Sequence, residues 1–301
     1  MRLEAELNGC TSAPYINFDA DSNRSNRPAT LGCACAPSVL TPRAFAYSIA
    51  YCLLPIASVS VDAVKTKDTI RREIWSLLQK RKVARFPGAE GRIPNFKGAE
   101  TCARVLAATA WWKNARVLKC NPDSPQRALR QRALADGKII YMAVPRLRDD
   151  KPFIELDPKK LKCSPYAASS IKGAAQYGRP VSLEAVKAID LIVCGSVAVN
   201  RRGARVGKGG GYSDLEFALL TERRKVGATT PILTTVHPLQ IIDEDIPMTE
   251  HDIPLTAIIT PEEIIEGFSV LKRPKGIYWK LLPAEKMDAI PSLRAKGRIP
   301  A

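Results

Sequence analysis

Histidine is scarce in this chain of 301 residues, which has two, and none of its eight cysteines forms a CxxC pair. Cys33 and Cys35 are too closely spaced for the usual zinc-binding loop. This composition argues against a Cys/His zinc centre, and no Ser/His/Asp or Cys/His triad is indicated. Cys102, Cys120 and Cys194 lie in apolar runs, which favours small buried residues in a reducing cytoplasm.

Long uninterrupted apolar runs are also lacking. The most apolar segment, residues 43–61, is broken by Pro55 and is short for a membrane-spanning helix. It begins too far from the first residue for an ordinary signal peptide. Residues 1–64 are therefore predicted to form a poorly ordered extension, with a docking segment and membrane targeting left as alternatives.

Acidic residues are outnumbered, with 30 Asp and Glu against 46 Lys and Arg, a formal charge of +16. Such an excess indicates an anionic partner, which could be a nucleotide, a polyglutamylated cofactor, nucleic acid or lipid. Motifs typical of nucleic-acid binding are missing, so charge alone supports that partner. Residues 269–301 are predicted to be an exposed, loosely packed basic tail.

Between these ends, residues 65–268 show helical periodicity alternating with apolar strand runs, which predicts a mostly parallel sheet covered on both faces. This is a three-layer α/β/α fold. The predicted helices are Lys67–Lys82, Ala99–Trp112, Pro125–Ala135, Leu183–Ile189 and Ser213–Lys225. The predicted strands are Arg116–Cys120, Lys138–Pro145, Asp190–Val199 (one strand or a pair), Pro231–Val236 and Leu255–Thr260.

A glycine-rich loop precedes the last of these helices, with four glycines in the five positions of Gly207–Gly211. Glycines let backbone N–H groups approach phosphate oxygens, and the following helix directs the positive end of its dipole to the same place. Arg205 and Lys208 add cationic charge, and Asp214 could hold Mg²⁺. The pattern predicts a phosphate site, with a plain surface turn as the alternative.

Two familiar phosphate motifs do not match this loop. The first glycine of a Walker loop would fall at Arg202, and Gly209 stands where that motif has Ser or Thr. The dinucleotide fingerprint requires a tight strand-to-helix turn, but residues 200–204 intervene.

The order of motifs resembles the 5-formyltetrahydrofolate cyclo-ligase (methenyltetrahydrofolate synthetase) family. Asp190-Leu-Ile-Val-Cys-Gly-Ser-Val-Ala-Val and the segment Gly203–Asp214 resemble its D-h-h-h-V-P-G-h-A-F and G-x-R-L-G-x-G-x-G-Y-Y-D. Lys67–Arg71, Gly137-Lys138 with Val144-Pro145, Gln240, Ile246–Leu255 and Ile258–Glu262 resemble further family blocks in order. The resemblance points to a divergent branch found in archaea and some bacteria.

That resemblance implies a cyclo-ligase-like domain of CoA transferase-like architecture, which uses ATP and Mg²⁺ to convert 5-formyltetrahydrofolate to 5,10-methenyltetrahydrofolate. It implies phosphate contacts from Lys67 and Arg71, and a nucleotide loop formed by Arg205 with Gly207, Lys208, Gly209, Gly210 and Gly211. Tyr212 would face the folate, and Asp214 would support the metal. A cytoplasmic monomer or weak dimer is expected.

Other candidates and alternatives follow from the departures. Cys194, Ser213 and Leu215-Glu216 differ from the family pattern. Arg92, Asn95 and Phe96 lie in a loop and are candidate substrate contacts, with a turn anchored by Phe96 in the core as the alternative. Tyr177 is a further candidate, because it occupies the place of the family's aromatic-rich substrate segment. A non-catalytic nucleotide- or RNA-binding protein on the same scaffold remains open, as does an ATP-dependent enzyme for another formyl or amide compound.

Overall fold

The computed structural model describes residues 65–268 and 271–294, so the predicted extension at 1–64 lies outside the described residues. The described helices are α1 Lys67–Lys80, α2 Ala99–Ala108, α3 Ala110–Asn114, α4 Arg127–Ala135, α5 Pro165–Ala168, α6 Ile171–Tyr177, α7 Tyr212–Glu222, α8 Ala284–Ala289 and α9 Pro291–Arg294. The described strands are β1 Val117–Cys120, β2 Ile139–Ala143, β3 Phe153–Leu156, β4 Arg179–Val181, β5 Leu191–Cys194, β6 Ala198–Asn200, β7 Arg205–Val206, β8 Ile232–Thr235, β9 Ile241–Ile242, β10 Ala257–Ile259 and β11 Ile264–Glu266.

The main sheet has eight strands in the order β11-β10-β8-β5-β1-β2-β3-β4. Strands β10, β8, β5, β1 and β2 run parallel to one another, and antiparallel strands flank them on both sides. Chain order reverses at β1, whose neighbours are β2 on one side and β5 on the other. This arrangement confirms the predicted mostly parallel sheet.

Both faces of the sheet are covered by helices, because its strands are apolar on both sides. Leu118 and Leu191 belong to a core cluster that includes α2 and α4 residues, whereas Ile192 and Ile232 belong to one that includes α7 residues. Each fully buried aliphatic side chain contributes about 1.5–3 kcal/mol by leaving water. The three-layer architecture follows from this two-sided burial.

A smaller sheet, ordered β7-β6-β9, carries the segment that leads into the glycine loop. Helix α1 packs on it through Ile70, Ile74 and Leu78, in a cluster with Val206. The helix begins after Thr66, whose hydroxyl accepts a hydrogen bond from the Thr69 amide, as an N-cap residue does. The small sheet and α1 therefore fix where the loop begins.

The predicted helix at Leu183–Ile189 is wrong. That segment is a turn followed by irregular chain, although Leu183, Val186 and Ile189 are buried. The amide of Lys187 bonds to the Tyr141 hydroxyl, and the amide of Ile189 bonds to the Lys225 carbonyl. Tertiary partners thus take the N–H groups that a helix would have used.

The expectation of a loosely packed C-terminal tail is also wrong for residues 271–294. Ile290 and Leu293 are fully buried against the α7 side of the sheet. Arg273 donates to the carbonyl oxygens of Ala228 and Thr230, at 2.8 and 2.7 Å. Helices α8 and α9 have six and four residues, so they are too short to show the apolar periodicity from which this packing could have been predicted.

Among the described residues, we find no helix with the length and apolar character needed to span a membrane.

Candidate functional site

A cavity of about 660 Å³ opens at the carboxyl ends of β1, β2 and β5. The segments that follow these strands form its wall: residues 121–124 after β1, residues 144–146 after β2, and Gly195 after β5. Ligands of open parallel sheets bind at this edge, where the strand order reverses. The cavity occupies that position.

The glycine loop forms one side of this cavity. Gly207, Lys208, Gly210 and Gly211 line it, while Gly209 and Gly211 have φ values of +106° and +64°. Such a left-handed backbone strains a residue that has a side chain. Gly211 is the N-cap residue of α7 and has no side chain to cap the helix. The first three residues of α7 line the cavity, so this helix N-terminus lies at its wall, where an anion is favoured.

Arg205 and Asp214 form a buried ion pair behind the loop, and both line the cavity. The Asp214 Oδ1 atom also accepts a hydrogen bond from the Ile253 amide at 3.1 Å. Burial alone would lower the pKa of Arg205, but the Asp214 carboxylate outweighs that effect, so this pKa is raised. The Nε atom of Arg205 is buried and has no hydrogen-bond partner among the described residues.

Helix α1 braces the loop instead of lining the cavity. The Arg71 Nε atom donates to the Gly207 carbonyl oxygen at 2.7 Å, and the guanidinium also pairs with Asp68. The Lys67 ammonium bonds to Asp252 at 2.5 Å. In the structure Lys67 and Arg71 therefore hold neighbouring segments together, and neither is among the residues of the cavity wall.

A second buried ion pair, which was missed from the sequence, underlies the cavity. Lys119 in β1 pairs with Glu216 in α7, and the Lys119 ammonium donates to the Asn121 Oδ1 atom at 2.7 Å. Burial raises the pKa of Glu216 despite the opposing effect of Lys119. A lysine inside the apolar run Val117-Leu-Lys-Cys120 was the available signal.

The turn after β1 is held by Arg130, another residue that the motifs did not indicate. Its guanidinium donates to the carbonyl oxygens of Asn121 and Asp123, at 2.6 and 3.0 Å. Full burial lowers the pKa of Arg130 to about 10. The Asp123 carboxylate lines the cavity and lies 3.5 Å from the Lys208 ammonium.

The candidate substrate residues do not gather in one place. Arg92 lines the cavity, but Asn95 bonds to the Phe86 carbonyl oxygen and lies outside the wall. Phe96 is fully buried, with its ring centre 6.0 Å from that of His237. Tyr177, at the end of α6, is 40% exposed and is likewise outside the wall. The structure therefore brings only Arg92 of these four to the cavity, together with Tyr212.

The opposite side of the cavity is apolar. Met142, Val144, Ile154, Ile171 and Ala175 contribute to its wall. A cavity with a polar phosphate end and an apolar end suits a ligand that combines charged groups with a flat ring system.

The described residues contain no group of three or more His, Cys, Asp or Glu side chains placed to hold a metal ion. Asp214, the predicted Mg²⁺ ligand, already pairs with Arg205, whose charge disfavours a nearby cation. A resident metal centre therefore does not fit these residues.

An α/β domain with a glycine loop and a helix N-terminus at the switch point of a parallel sheet is typical of proteins that bind nucleotides or other phosphates. The family model described as the 5-formyltetrahydrofolate cyclo-ligase family matches residues 63–261. The chain belongs to this family.

Two relatives and one solved structure are similar to this chain. The methenyltetrahydrofolate synthase domain-containing protein of Bos taurus is 35% identical over 233 residues, which are 76% of this chain and 61% of that protein. Its Mus musculus counterpart is 36% identical over 76% of this chain and 62% of that protein. The NMR structure of Aquifex aeolicus 5,10-methenyltetrahydrofolate synthetase matches with a TM-score of 0.43 and 17% identity, over 68% of this chain and 96% of that one.

The chain spans less than two thirds of the length of the bovine and mouse relatives. Those relatives are vertebrate proteins, so they give no support to the predicted archaeal or bacterial branch.

Proposed function

We propose that the protein is an ATP-dependent 5-formyltetrahydrofolate cyclo-ligase. The observation that carries this proposal is the glycine loop at the N-terminus of α7, with the Arg205 guanidinium facing the same cavity. Membership of the cyclo-ligase family gives the reaction class. The cavity of about 660 Å³ lies in the usual range for small-molecule sites.

The reaction needs no protein nucleophile. The formyl oxygen of the folate attacks the γ-phosphorus of ATP, the bond to the β-phosphate oxygen breaks, and ADP leaves. N10 then bonds to the activated formyl carbon and loses its proton. The bond between that carbon and the phosphate oxygen breaks, and inorganic phosphate leaves with the electron pair.

In this reaction the protein would position two substrates and neutralise charge. The N–H groups of Gly207, Gly209, Gly210 and Gly211 would bind phosphate oxygens. Arg205 and Lys208 would stabilise the negative charge on the transferred group. Asp214 would orient Arg205, and Arg71 would fix the loop through Gly207. Magnesium would arrive with ATP and be held chiefly by the phosphates.

The apolar side of the cavity would receive the pteridine ring. Tyr212 and Arg92 border the cavity and are the proposed folate contacts, because an aromatic face and a guanidinium can both stack on a flat ring. Asn95, Phe96 and Tyr177 would then support the fold, not the substrate.

The direct test is turnover of 5-formyltetrahydrofolate by the full chain with Mg-ATP, followed by the near-ultraviolet absorbance of the methenyl product. ATP should be required, and a hydrolysis-resistant ATP analogue should give no product. Lys208→Met should raise the KM for ATP about tenfold, because it removes a cation that would contact the phosphates. The KM for the folate should stay nearly unchanged, because Lys208 is a half-exposed residue of the glycine loop and is not a proposed folate contact. The proposal fails if the wild-type chain gives no ATP-dependent product.

No observation favours the non-catalytic alternative. Nucleic-acid binding, a monomeric or weakly dimeric state and a cytoplasmic location stay predictions. Filter binding to RNA at two salt concentrations, light scattering on the purified protein and imaging of a fluorescent fusion test them in turn.

A further inference from the structure

The described C-terminal segment, residues 271–294, returns to the glycine loop. Lys286 in α8 donates a hydrogen bond from its ammonium to the Gly210 carbonyl oxygen at 2.8 Å. The same ammonium lies 5.4 Å from the centre of the Tyr212 ring, within cation–π range. The family match ends at residue 261, so this contact comes from outside it.

The position of Lys286 is electrostatically unusual. Its ammonium lies beside the N-terminus of α7, the positive end of the helix dipole, where a cation is unfavourable without an anion nearby. The carboxylates close to the loop are already paired, Asp214 with Arg205, Glu216 with Lys119 and Asp123 with Lys208. The loop end of the cavity therefore has an excess of positive charge.

A second cation of the loop end is the Arg205 guanidinium. The Arg205 side chain is 3% exposed and lines the cavity, yet its Nε atom has no acceptor among the described residues. A buried donor without an acceptor costs about 1–3 kcal/mol, so the pair with Asp214 leaves the Arg205 guanidinium only partly satisfied. Cations on both sides of the loop thus suit a group with several negative charges.

We propose that Lys286 is a positioning residue of the nucleotide site, which fixes the glycine loop through Gly210 and adds positive charge for the triphosphate. This inference rests on the proposed ATP-dependent function. It makes the C-terminal segment part of the site, not merely a cover for the α7 side of the sheet.

The test compares Lys286→Met and Lys286→Arg with Lys275→Met, a control that removes an exposed lysine from the same segment. Dissociation constants for ATP, ADP and adenosine are measured by calorimetry on the full chain, and thermal midpoints monitor folding. Lys286→Met should weaken ATP binding about tenfold, as loss of a charge-assisted hydrogen bond does, with a smaller loss for ADP and almost none for adenosine. Lys286→Arg should retain most of the affinity, and Lys275→Met should match the wild type.

Turnover and binding together distinguish the role of Lys286 from the proposed ATP-dependent function. Lys286→Met should raise the KM for ATP more than it lowers kcat, with the KM for the folate unchanged. If the wild type binds no ATP, the proposed function fails. If the wild type binds ATP but Lys286→Met binds it equally well, the role of Lys286 is overturned while the function stands. The same conclusion follows if Lys286→Met loses as much affinity for adenosine as for ATP. Equal losses in the Arg and Met variants would also contradict it.

Discussion

At the scale of single residues, the ion pair between Arg205 and Asp214 is the central feature of the candidate site. Removing two charges from water costs several kcal/mol for each ion, and their attraction offsets this only with good geometry and further hydrogen bonds. Asp214 has such a bond from the Ile253 amide, whereas the Arg205 Nε atom lacks an acceptor among the described residues. Stability therefore depends on this pair, and under the proposed function ATP binding depends on it as well.

We expect Asp214→Asn to lower the free energy of unfolding by about 3 kcal/mol, because it leaves a buried guanidinium without a charged partner. Urea denaturation measures this loss. Asp245→Asn is the matched control, since Asp245 pairs with Arg202 where both side chains are at least half exposed, and it should cost less than about 1 kcal/mol. Equal losses in the two variants would contradict the structural role of the Arg205 pair.

Asp252 gives the protein a predicted pH dependence. Burial alone would raise the pKa of Asp252, but hydrogen bonds from Lys67 and Thr249 outweigh it, so the folded-state pKa is lowered. A carboxyl with a lowered folded pKa stabilises the protein above its unfolded pKa, about 3.9, and loses that contribution as pH falls through the folded value.

Unfolding free energies measured between neutral pH and about pH 3 should therefore decline less steeply in Asp252→Asn than in the wild type. The variant should also be less stable at neutral pH, where it lacks the ion pair with Lys67. Parallel curves for the two proteins would show that Asp252 does not contribute to the acid sensitivity.

Sequence patterns located those residues of the candidate site that are neighbours in the sequence. They missed the residues that come together only in the folded chain. Gly207–Gly211 and Arg205 form one recognisable string, so their place beside a helix N-terminus could be predicted. Lys119 and Glu216 come from different elements, and no local pattern pairs them. Phe96 had two interpretations, because an aromatic residue in a loop can anchor the core as readily as contact a ligand, and the structure buries it fully.

At the scale of elements, the C-terminal segment contributes more than its composition suggests. Its basic residues and prolines predicted an exposed tail, but Ile290 and Leu293 are fully buried. Helices of six and four residues are too short for a clear 3.6-residue period. The apolar parallel strands β1, β2, β5, β8 and β10 were predicted correctly, because two-sided burial in a parallel sheet leaves a continuous hydrophobic run.

Leu293→Ala should lower the free energy of unfolding by about 2–4 kcal/mol, since it leaves a cavity in a packed cluster. Leu281, which is 55% exposed in the same segment, provides the control, and Leu281→Ala should change stability by less than about 0.5 kcal/mol. Chemical denaturation of both variants is the measurement. A loss at Leu293 no larger than that at Leu281 would mean that the segment does not stabilise the domain.

At the scale of the whole molecule, the cavity is lined by the segments that follow β1, β2 and β5. These strands lie on both sides of the point where the strand order reverses. A ligand that binds there favours the complete fold over the unfolded chain. Mg-ATP at about one hundred times its dissociation constant should raise the free energy of unfolding by about 2.7 kcal/mol. Thermal unfolding with ATP and with adenosine measures the effect, and an identical midpoint with and without ATP would exclude binding at this concentration.

The strand order also dictates when the cavity can exist during synthesis. β1 is the first described strand of the chain, yet it lies inside the sheet between β2 and β5. On a ribosome, β1 and β2 can pair early, but the other edge of β1 stays open until β5 has emerged. The cavity needs all three strands, so a nascent chain cannot use nucleotide to guide its first folding steps. Until β5 pairs, that open edge of β1 can pair with a strand of another chain.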